Sequence, residues 1–100
     1  MSAKLANKVA IVTGAGRNIG EDVAKLLAQE GATVAVVDLD KGRADKVAGE
    51  IIAAGGKAKG FVCDVGQEDD IIATVQGAVA TWGHVDILVN NAAISDNKHM

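Results

Sequence analysis

The stretch Val9–Gln29, VAIVTGAGRNIGEDVAKLLAQ, decides how the fold is interpreted. It opens with an apolar, β-branched run, passes through three glycines and continues with apolar residues at helical spacing. A buried strand followed directly by a helix is typical of the start of a βαβ unit. Glycines at such a joint allow a sharp turn and let a ligand approach the backbone closely.

The same alternation of strand and helix signals continues along the 100 residues. The order β-α-β-α-β-α-β predicts an α/β, Rossmann-type doubly wound parallel sheet in strand order 3-2-1-4, incomplete at its C-terminal end. The strands are uniformly apolar, which predicts a sheet covered on both faces. The predicted strands are Lys8–Thr13, Thr33–Asp38, Lys57–Asp64 and Asp86–Asn91, and the predicted helices are Ile19–Glu30, Lys41–Ala54 and Gln67–Trp82.

Helical spacing also predicts which residues face the core. Asp40 is expected to cap the second helix, and glycines are expected to end all three. The predicted core faces are Val23, Leu26 and Leu27 in the first helix, Ala44, Val47, Ala48, Ile51 and Ile52 in the second, and Ile71, Val75, Ala78, Val79 and Trp82 in the third.

Composition and charge narrow the class of protein. The chain is 49% hydrophobic and 23% charged, as expected of a globular domain. Its net charge of −3, with scattered basic residues, argues against a nucleic-acid partner. The single cysteine excludes an internal disulfide, and neither a signal peptide nor an apolar run of roughly 18 residues is visible. We therefore expect a cytoplasmic protein that does not associate with membranes.

Three residues with reactive or aromatic side chains have ordinary structural interpretations. Cys63 is expected to be a buried thiol at a strand end, Trp82 a core residue, and His84 an exposed loop residue. Two distant histidines and one cysteine do not have the spacing of metal ligands, so no metal site is predicted.

The glycines Gly14, Gly16 and Gly20 lie between the first strand and the first helix. Glycines there can form the tight turn, admit a pyrophosphate to the backbone amides, and let the helix pack close to the strand. The helix N-terminus adds free N–H groups and partial positive charge for the phosphates. A tight turn that binds nothing remains the alternative on the glycines alone.

Asp38 favours the binding interpretation. It ends the second strand, 18 positions beyond Gly20, where a carboxylate can accept the hydroxyls of an adenosine ribose. The same carboxylate would repel a 2′-phosphate, so NAD is predicted over NADP. Arg17 argues the other way, because a base in the loop could contact a 2′-phosphate. Leu39 occupies the position where a phosphate-binding enzyme could carry a base, so we give Asp38 more weight.

From Thr13 the spacing T-G-x-x-x-N-x-G resembles the T-G-x-x-x-G-x-G signature of the short-chain dehydrogenase/reductase family, with Asn18 in place of the middle glycine. Asparagine tolerates the left-handed region better than other residues with side chains. Asp64-Val65 resembles the family's adenine-contacting pair, and Asn90-Asn91-Ala92-Ala93 resembles its N-N-A-G motif.

The resemblance implies a dinucleotide site at these motifs. Thr13 would hold the glycine loop, Asn91 and Ala92 would lie beside the ribose, and Ile94 would lie toward the nicotinamide. The implied cofactor-binding residues are Thr13, Gly14, Gly16, Arg17, Asn18, Ile19, Gly20, Asp38, Leu39, Asp64, Val65, Asn91, Ala92 and Ile94.

The resemblance also implies an NAD-dependent oxidoreductase that transfers hydride between nicotinamide and a secondary alcohol or ketone. A 3-oxoacyl thioester and a sugar alcohol are among the substrates it suggests, and the family's usual assembly is a homotetramer. The family's catalytic Ser, Tyr and Lys cannot be assigned: the chain has no Tyr, and Ser95 follows the N-N-A-A motif too closely. We therefore expect residues 1–100 to be the N-terminal NAD-binding portion of a larger domain, with the catalytic residues beyond Met100.

Two alternatives from other classes stay open. One is a nucleotide-binding module without catalysis, which the absence of Tyr supports. The other is a methyltransferase that uses S-adenosylmethionine, whose ribose Asp38 would also suit. The T-G-x-x-x-N-x-G spacing and the N-N-A-A segment fit the methyltransferase poorly.

Overall fold

The structure, a computed structural model, describes residues 4–16, 18–64 and 68–91. Strands and helices alternate in the predicted order. The strands are β1 (Val9–Thr13), β2 (Thr33–Asp38), β3 (Lys57–Val62) and β4 (Ile87–Asn90), and the helices are α1 (Asn18–Gln29), α2 (Lys41–Ala53) and α3 (Glu68–Trp82).

The four strands form one parallel sheet in the order β3-β2-β1-β4. β1 lies between two partners: Val9 is opposite Thr33 of β2, and Ala10 is opposite Ile87 of β4. The predicted α/β fold and strand order are confirmed. Because all four strands run the same way, their carboxyl ends meet at one edge of the sheet, where such folds bind ligands.

The helices cover both faces of the sheet. On one face Val12, Val34 and Val36 of the strands pack against buried residues of α1 and α2, including Ala24 and Val47. The opposite face has a second core cluster, in which α3 contributes Ala78 and the strands contribute residues such as Ile11 and Val37. A sheet with a helical layer on each face explains why β1 and most of β2 are buried.

Three predicted core residues are exposed instead: Leu26, Ile52 and Val79. In α1 the buried residues are Gly20 and Ala24, so the line of contact with the sheet runs along small residues. Leu26 lies two residues beyond Ala24, about 200° around the helix at 100° per residue, and therefore faces solvent. Ile52 and Val79 each follow a buried residue by one position. One residue corresponds to about 100° around the helix, so these side chains point away from the sheet.

The predicted element ends differ from the observed ones by one or two residues, and the outer strands are less covered than predicted. β3 ends at Val62 rather than Asp64, and its side chains alternate between exposed and half-buried. β4 shows the same alternation, with Leu88 exposed. Within the described residues these two strands are the edges of the sheet, so each has a strand partner on one side only.

The predicted caps are present. The Asp40 carboxylate accepts a hydrogen bond from the Arg43 backbone N–H at 3.0 Å, as an N-cap residue does. Gly31, Gly55 and Gly83 follow the three helices, all with positive φ. Glycine adopts this left-handed conformation without the steric cost of a Cβ, so each helix ends just before the glycine that the sequence predicts.

The three residues singled out for their chemistry are structural. Cys63 is buried in the second core cluster, as predicted. Trp82 packs there too, edge-on to Phe61 at 6.1 Å between ring centroids. His84 is half-exposed, but its Nε2 lies 3.0 Å from a carboxylate oxygen of Asp86 and 3.0 Å from the Asn7 carbonyl oxygen. It therefore connects the turn before β4 to the turn before β1.

An ion cluster joins α1 to α2. The Lys25 ammonium donates to the Glu21 and Glu50 carboxylates, each at 2.7 Å. The hydrogen bond that Lys25 donates to Glu21, followed by the one to Glu50, raises the pKa of Lys25 above its ordinary value, against an opposing effect of desolvation. The hydrogen bond from Lys25 lowers the pKa of Glu50.

Replacing Glu50 with glutamine should make the stability of the protein depend less on pH between neutral and acid conditions. Because the pKa of Glu50 is lower in the folded than in the unfolded chain, its contribution is present above the unfolded carboxyl pKa and is lost as pH falls through the folded pKa. Thermal midpoints measured between neutral and acid pH at low salt should fall less steeply for Glu50→Gln than for the unmodified protein. Parallel curves would contradict this, and about 1 M salt should reduce the difference between them.

In the residues that the structure describes, no helix is both long enough and apolar enough to cross a membrane.

Candidate cofactor-binding site

The carboxyl ends of β1, β2 and β4 bring the predicted site residues to one edge of the sheet. Thr13 ends β1, Asp38 ends β2 and Asn90 ends β4, and the glycine loop leads from Thr13 into α1. Parallel α/β sheets bind ligands at this edge, because the helix N-termini also point there. A ligand site is therefore expected at this edge of the sheet.

Two residues of the glycine loop have left-handed backbone conformations: Gly14 at φ 63° and Asn18 at φ 57°. Asn18 thus adopts the conformation that its substitution for glycine predicts, and α1 begins at this residue. Between them Ala15 is buried, and its N–H donates to the Val37 carbonyl at 2.8 Å. The loop is therefore anchored to the end of β2.

Gly20 allows the first turn of α1 to pack directly against the loop. A Cβ at Gly20 would lie 2.0 Å from the Gly14 carbonyl oxygen and 3.0 Å from Asn91 Nδ2. The first distance is far shorter than two non-bonded heavy atoms allow, so residue 20 must be glycine for this packing. The contact also places Asn91 beside the glycine loop.

Asp38 is tied to the backbone on both sides. The residue is only 8% exposed. One oxygen, Oδ2, accepts from the Gly16 N–H at 3.0 Å, and the other, Oδ1, accepts from the Asp40 N–H at 2.9 Å. Each carboxylate oxygen has a further lone pair, so the group can still accept hydrogen bonds from a diol. The carboxylate is thus held in place before any ligand binds.

Gly16 makes this arrangement sterically feasible. A Cβ on Gly16 would lie 2.6 Å from Asp38 Oδ2 and 2.6 Å from the Cβ of Arg43. The loop, the end of β2 and the first turn of α2 therefore meet at this glycine. Sequence reasoning overlooked Arg43. Its position three residues after the N-cap Asp40 was the available signal, since it places Arg43 in the first turn of α2.

Hydrogen bonds that involve side chains connect the other strand ends to neighbouring elements. The Thr13 hydroxyl lies 3.0 Å from Asn90 Oδ1 and 3.3 Å from the Val89 carbonyl oxygen, so it joins β1 to β4. The Asp64 N–H donates to an Asp70 carboxylate oxygen at 3.2 Å. The end of β3 is therefore connected to the start of α3.

Ile19 and Leu39 are both 69% exposed, and they provide apolar surface at this edge. Four further predicted site residues, Arg17, Val65, Ala92 and Ile94, lie outside the described residues. Among the residues that are described, no three His, Cys, Asp or Glu side chains are grouped so that they could hold a metal ion.

A family model of short chain dehydrogenases matches residues 8–100, which is nearly the whole chain. The chain belongs to the short chain dehydrogenase family. The resemblance carried by the T-G-x-x-x-N-x-G and N-N-A-A segments is thereby confirmed at the level of the family.

Named members of the short chain dehydrogenase family are close in sequence. The cyclohexanol dehydrogenase of Acinetobacter sp. strain SE19 is 46% identical over 94 residues, which are 94% of this chain and 38% of that protein. The 7alpha-hydroxysteroid dehydrogenase of Escherichia coli K12 is 43% identical over 89 residues, 89% of this chain and 35% of that protein. The chain thus spans little more than a third of the length of these relatives.

A solved structure of the short chain dehydrogenase family shows the same fold with a ligand. A metagenomic short-chain oxidoreductase in complex with NADP has a TM-score of 0.80 and 40% identity, over 85% of this chain and 38% of that one. Members of this family bind a nicotinamide dinucleotide. The individual roles of the predicted site residues remain predictions.

Proposed function

We propose that the chain is the NAD-binding, N-terminal portion of an oxidoreductase of short chain dehydrogenase type. The observation that carries the proposal is the Asp38 carboxylate, buried at the ligand-binding edge and bonded by two backbone N–H groups. A carboxylate fixed there can accept the 2′- and 3′-hydroxyls of an adenosine ribose. It also opposes a 2′-phosphate by charge repulsion, which favours NAD over NADP.

The chain's own residues would bind and orient the dinucleotide. The first turn of α1, packed on Gly14 through Gly20, presents backbone N–H groups and partial positive charge to the pyrophosphate. Asp38 would hold the ribose, and Asp64 lies at the next strand end, where adenine contacts are expected. When bound, the cofactor supplies a nicotinamide that accepts or donates hydride.

The proposed substrate is a secondary alcohol or the corresponding ketone. Support comes from the names of two relatives, cyclohexanol dehydrogenase and 7alpha-hydroxysteroid dehydrogenase, which both indicate a hydroxyl on a ring. We assign the proton-transfer residues to the remainder of the protein, because the relatives are more than twice as long as this chain. A homotetramer remains part of the same proposal.

The double substitution Asp38→Ala with Leu39→Arg should relax discrimination against NADPH. It removes the carboxylate that repels a 2′-phosphate and adds a base beside it. We expect the ratio of kcat/KM for NADPH to that for NADH to rise about 10- to 100-fold in the full-length protein.

The control is Leu39→Ala, which changes the same exposed side chain without altering any charge. It should leave the ratio of the two kcat/KM values within about twofold of that of the unmodified protein. The assay follows reduction of a cyclic ketone by absorbance. If the unmodified protein already prefers NADPH, the interpretation of Asp38 is wrong. If it reduces no cyclic ketone with either cofactor, the proposed reaction is wrong.

A further inference from the structure

A cavity lies between the C-terminal halves of α1 and α2. Its volume is about 320 Å³, at the lower end of the range for small-molecule sites. The two helices end just before β2 and β3 begin, so the cavity lies at the edge of the sheet opposite to Asp38 and the glycine loop. The residues that line it are Lys25, Ala28 and Gln29 of α1, Glu50 and Ile51 of α2, and Ala54 and Gly56 just after α2.

One side of the cavity is apolar. Ile51 is buried in the core cluster on this face of the sheet, and Ala28 packs against the same cluster. A Cβ on Gly56 would lie 2.8 Å from Ile51 Cγ2 and 3.4 Å from the Ala28 Cβ, so the three residues converge. Together they offer a surface on which a short hydrocarbon chain can be buried, which the hydrophobic effect favours.

The other side of the cavity is charged, and the balance of charge is negative. Lys25 donates to both Glu21 and Glu50, so these three side chains together have one net negative charge. Lys25 uses Oε1 of Glu50, and no described residue donates to Oε2. The Gln29 side chain also makes no hydrogen bond within the described residues. Lys46, one turn before Glu50, is the other base near this carboxylate, but it does not line the cavity.

The C-terminal ends of α1 and α2 add to the negative potential. The last carbonyls of a helix have no intrahelical partner and carry partial negative charge. Gln29, the last residue of α1, and Ala54, the C-cap of α2, both line the cavity. Neither helix has a basic residue in its last turn to offset this charge. The cavity therefore favours a cation, whereas an anion is opposed by the glutamates and by both helix ends.

We propose that this cavity binds a small organic cation, a primary alkylammonium whose hydrocarbon chain lies on Ala28 and Ile51 and whose ammonium is bound by Glu50 and Gln29. An ammonium has three N–H donors, which match the second Glu50 oxygen, the Gln29 amide oxygen and a carbonyl at a helix end. An inorganic cation would leave the apolar side of the cavity unused. The inference does not rest on the proposed function, because the cavity and the cofactor site share no residue and lie at opposite edges of the sheet.

Three ligands with the same chain length test the headgroup. n-Butylammonium, n-butanol and butyrate are titrated into the full-length protein at constant ionic strength, and the methyl resonance of Ile51 is followed by NMR. Ile11, buried in the cluster on the opposite face of the sheet, is the internal reference. We expect n-butylammonium to shift the Ile51 resonance with a dissociation constant of about 1–10 mM, a range suited to a ligand of about five non-hydrogen atoms. n-Butanol should bind about threefold more weakly, and butyrate about tenfold or more.

Variants separate the charge of the cavity from its shape. Glu50→Gln should weaken n-butylammonium binding about tenfold and leave n-butanol binding within about twofold. Asp45→Asn is the matched control, since it removes a carboxylate of the same helix that pairs with Lys41 outside the cavity, and it should change binding less than about twofold. Ala54→Leu fills the cavity from its rim and should abolish the response to n-butylammonium and n-butanol. Ala53→Leu, at an exposed neighbour that does not line the cavity, should retain both responses.

The inference is overturned if butyrate binds as tightly as n-butylammonium, if Glu50→Gln and Asp45→Asn act alike, or if Ile51 responds equally in Ala54→Leu. A shift that stays linear up to about 100 mM n-butylammonium would also overturn it, because it indicates a solvent effect rather than a site. Failure of the proposed function has a different signature, since the unmodified protein would then bind no NAD, whatever its response to n-butylammonium.

Discussion

Replacing Gly20 with alanine should destabilise the protein by about 3 kcal/mol, the upper end of overpacking penalties, and should abolish measurable dinucleotide binding. The added Cβ would lie 2.0 Å from the Gly14 carbonyl oxygen, which is backbone and cannot rotate away. Either α1 moves off the sheet or the loop changes shape. Both movements separate the N-terminus of α1 from the pyrophosphate position.

Gly49→Ala is the matched control for Gly20→Ala. Gly49 also lies in a helix, and a Cβ there meets nothing within 4 Å. Alanine should therefore stabilise α2 by about 0.5–1 kcal/mol, in keeping with helix propensity. Chemical denaturation and calorimetric titration with NAD would measure both variants. Near-normal stability and binding in Gly20→Ala would show that the close packing of α1 on the loop is not required.

Gly16→Ala should weaken NAD binding about tenfold and destabilise the fold by about 1–3 kcal/mol. A Cβ at residue 16 would lie 2.6 Å from Asp38 Oδ2, so the carboxylate must move away from the loop. The hydrogen bond from Gly16 N–H to Asp38 is buried and charge-assisted, and its loss leaves a buried donor without its acceptor.

The measurement for Gly16→Ala is the pair of dissociation constants for NAD and for nicotinamide mononucleotide, which lacks the adenosine. Only NAD binding should weaken, because Asp38 is proposed to contact the adenosine ribose alone. Equal weakening of both ligands would indicate that Gly16 acts on the phosphate-binding loop as a whole. Gly49→Ala again serves as the control for a glycine-to-alanine change elsewhere.

The fold was predictable because the local sequence of each strand and helix indicates its type. VAIVT and TVAVVD are apolar, β-branched runs, and a glycine follows each helix at positive φ. The orientation of the helices was less predictable. Leu26 looks like a core residue by hydrophobicity, but the small residues Gly20 and Ala24 let α1 approach the sheet on another side. In α1, close packing through small residues therefore decides which face is buried, and the hydrophobicity of Leu26 does not.

The site was predictable as a set of positions rather than as a set of contacts. The spacing from Gly20 to Asp38 indicated a ribose-binding carboxylate, but not that this carboxylate would also bind the Gly16 backbone. Arg43 escaped notice because no motif contains it. Only the turn made by the Asp40 cap brings its stem beside the end of β2. The cap spacing in the sequence places Arg43 in the first turn of α2, but its proximity to the end of β2 depends on tertiary structure.

The central position of β1 has a consequence for how the chain is made. β1 and β2 can pair as soon as β2 has been synthesised, but the second edge of β1 must wait for β4, whose flanking Asp86 bonds to Val9 across 77 residues. At about 5–20 residues per second, ribosomes would leave that edge open for several seconds after β2 emerges. Unpaired strand edges invite association with other chains. The nascent protein should therefore be most prone to aggregation during that interval.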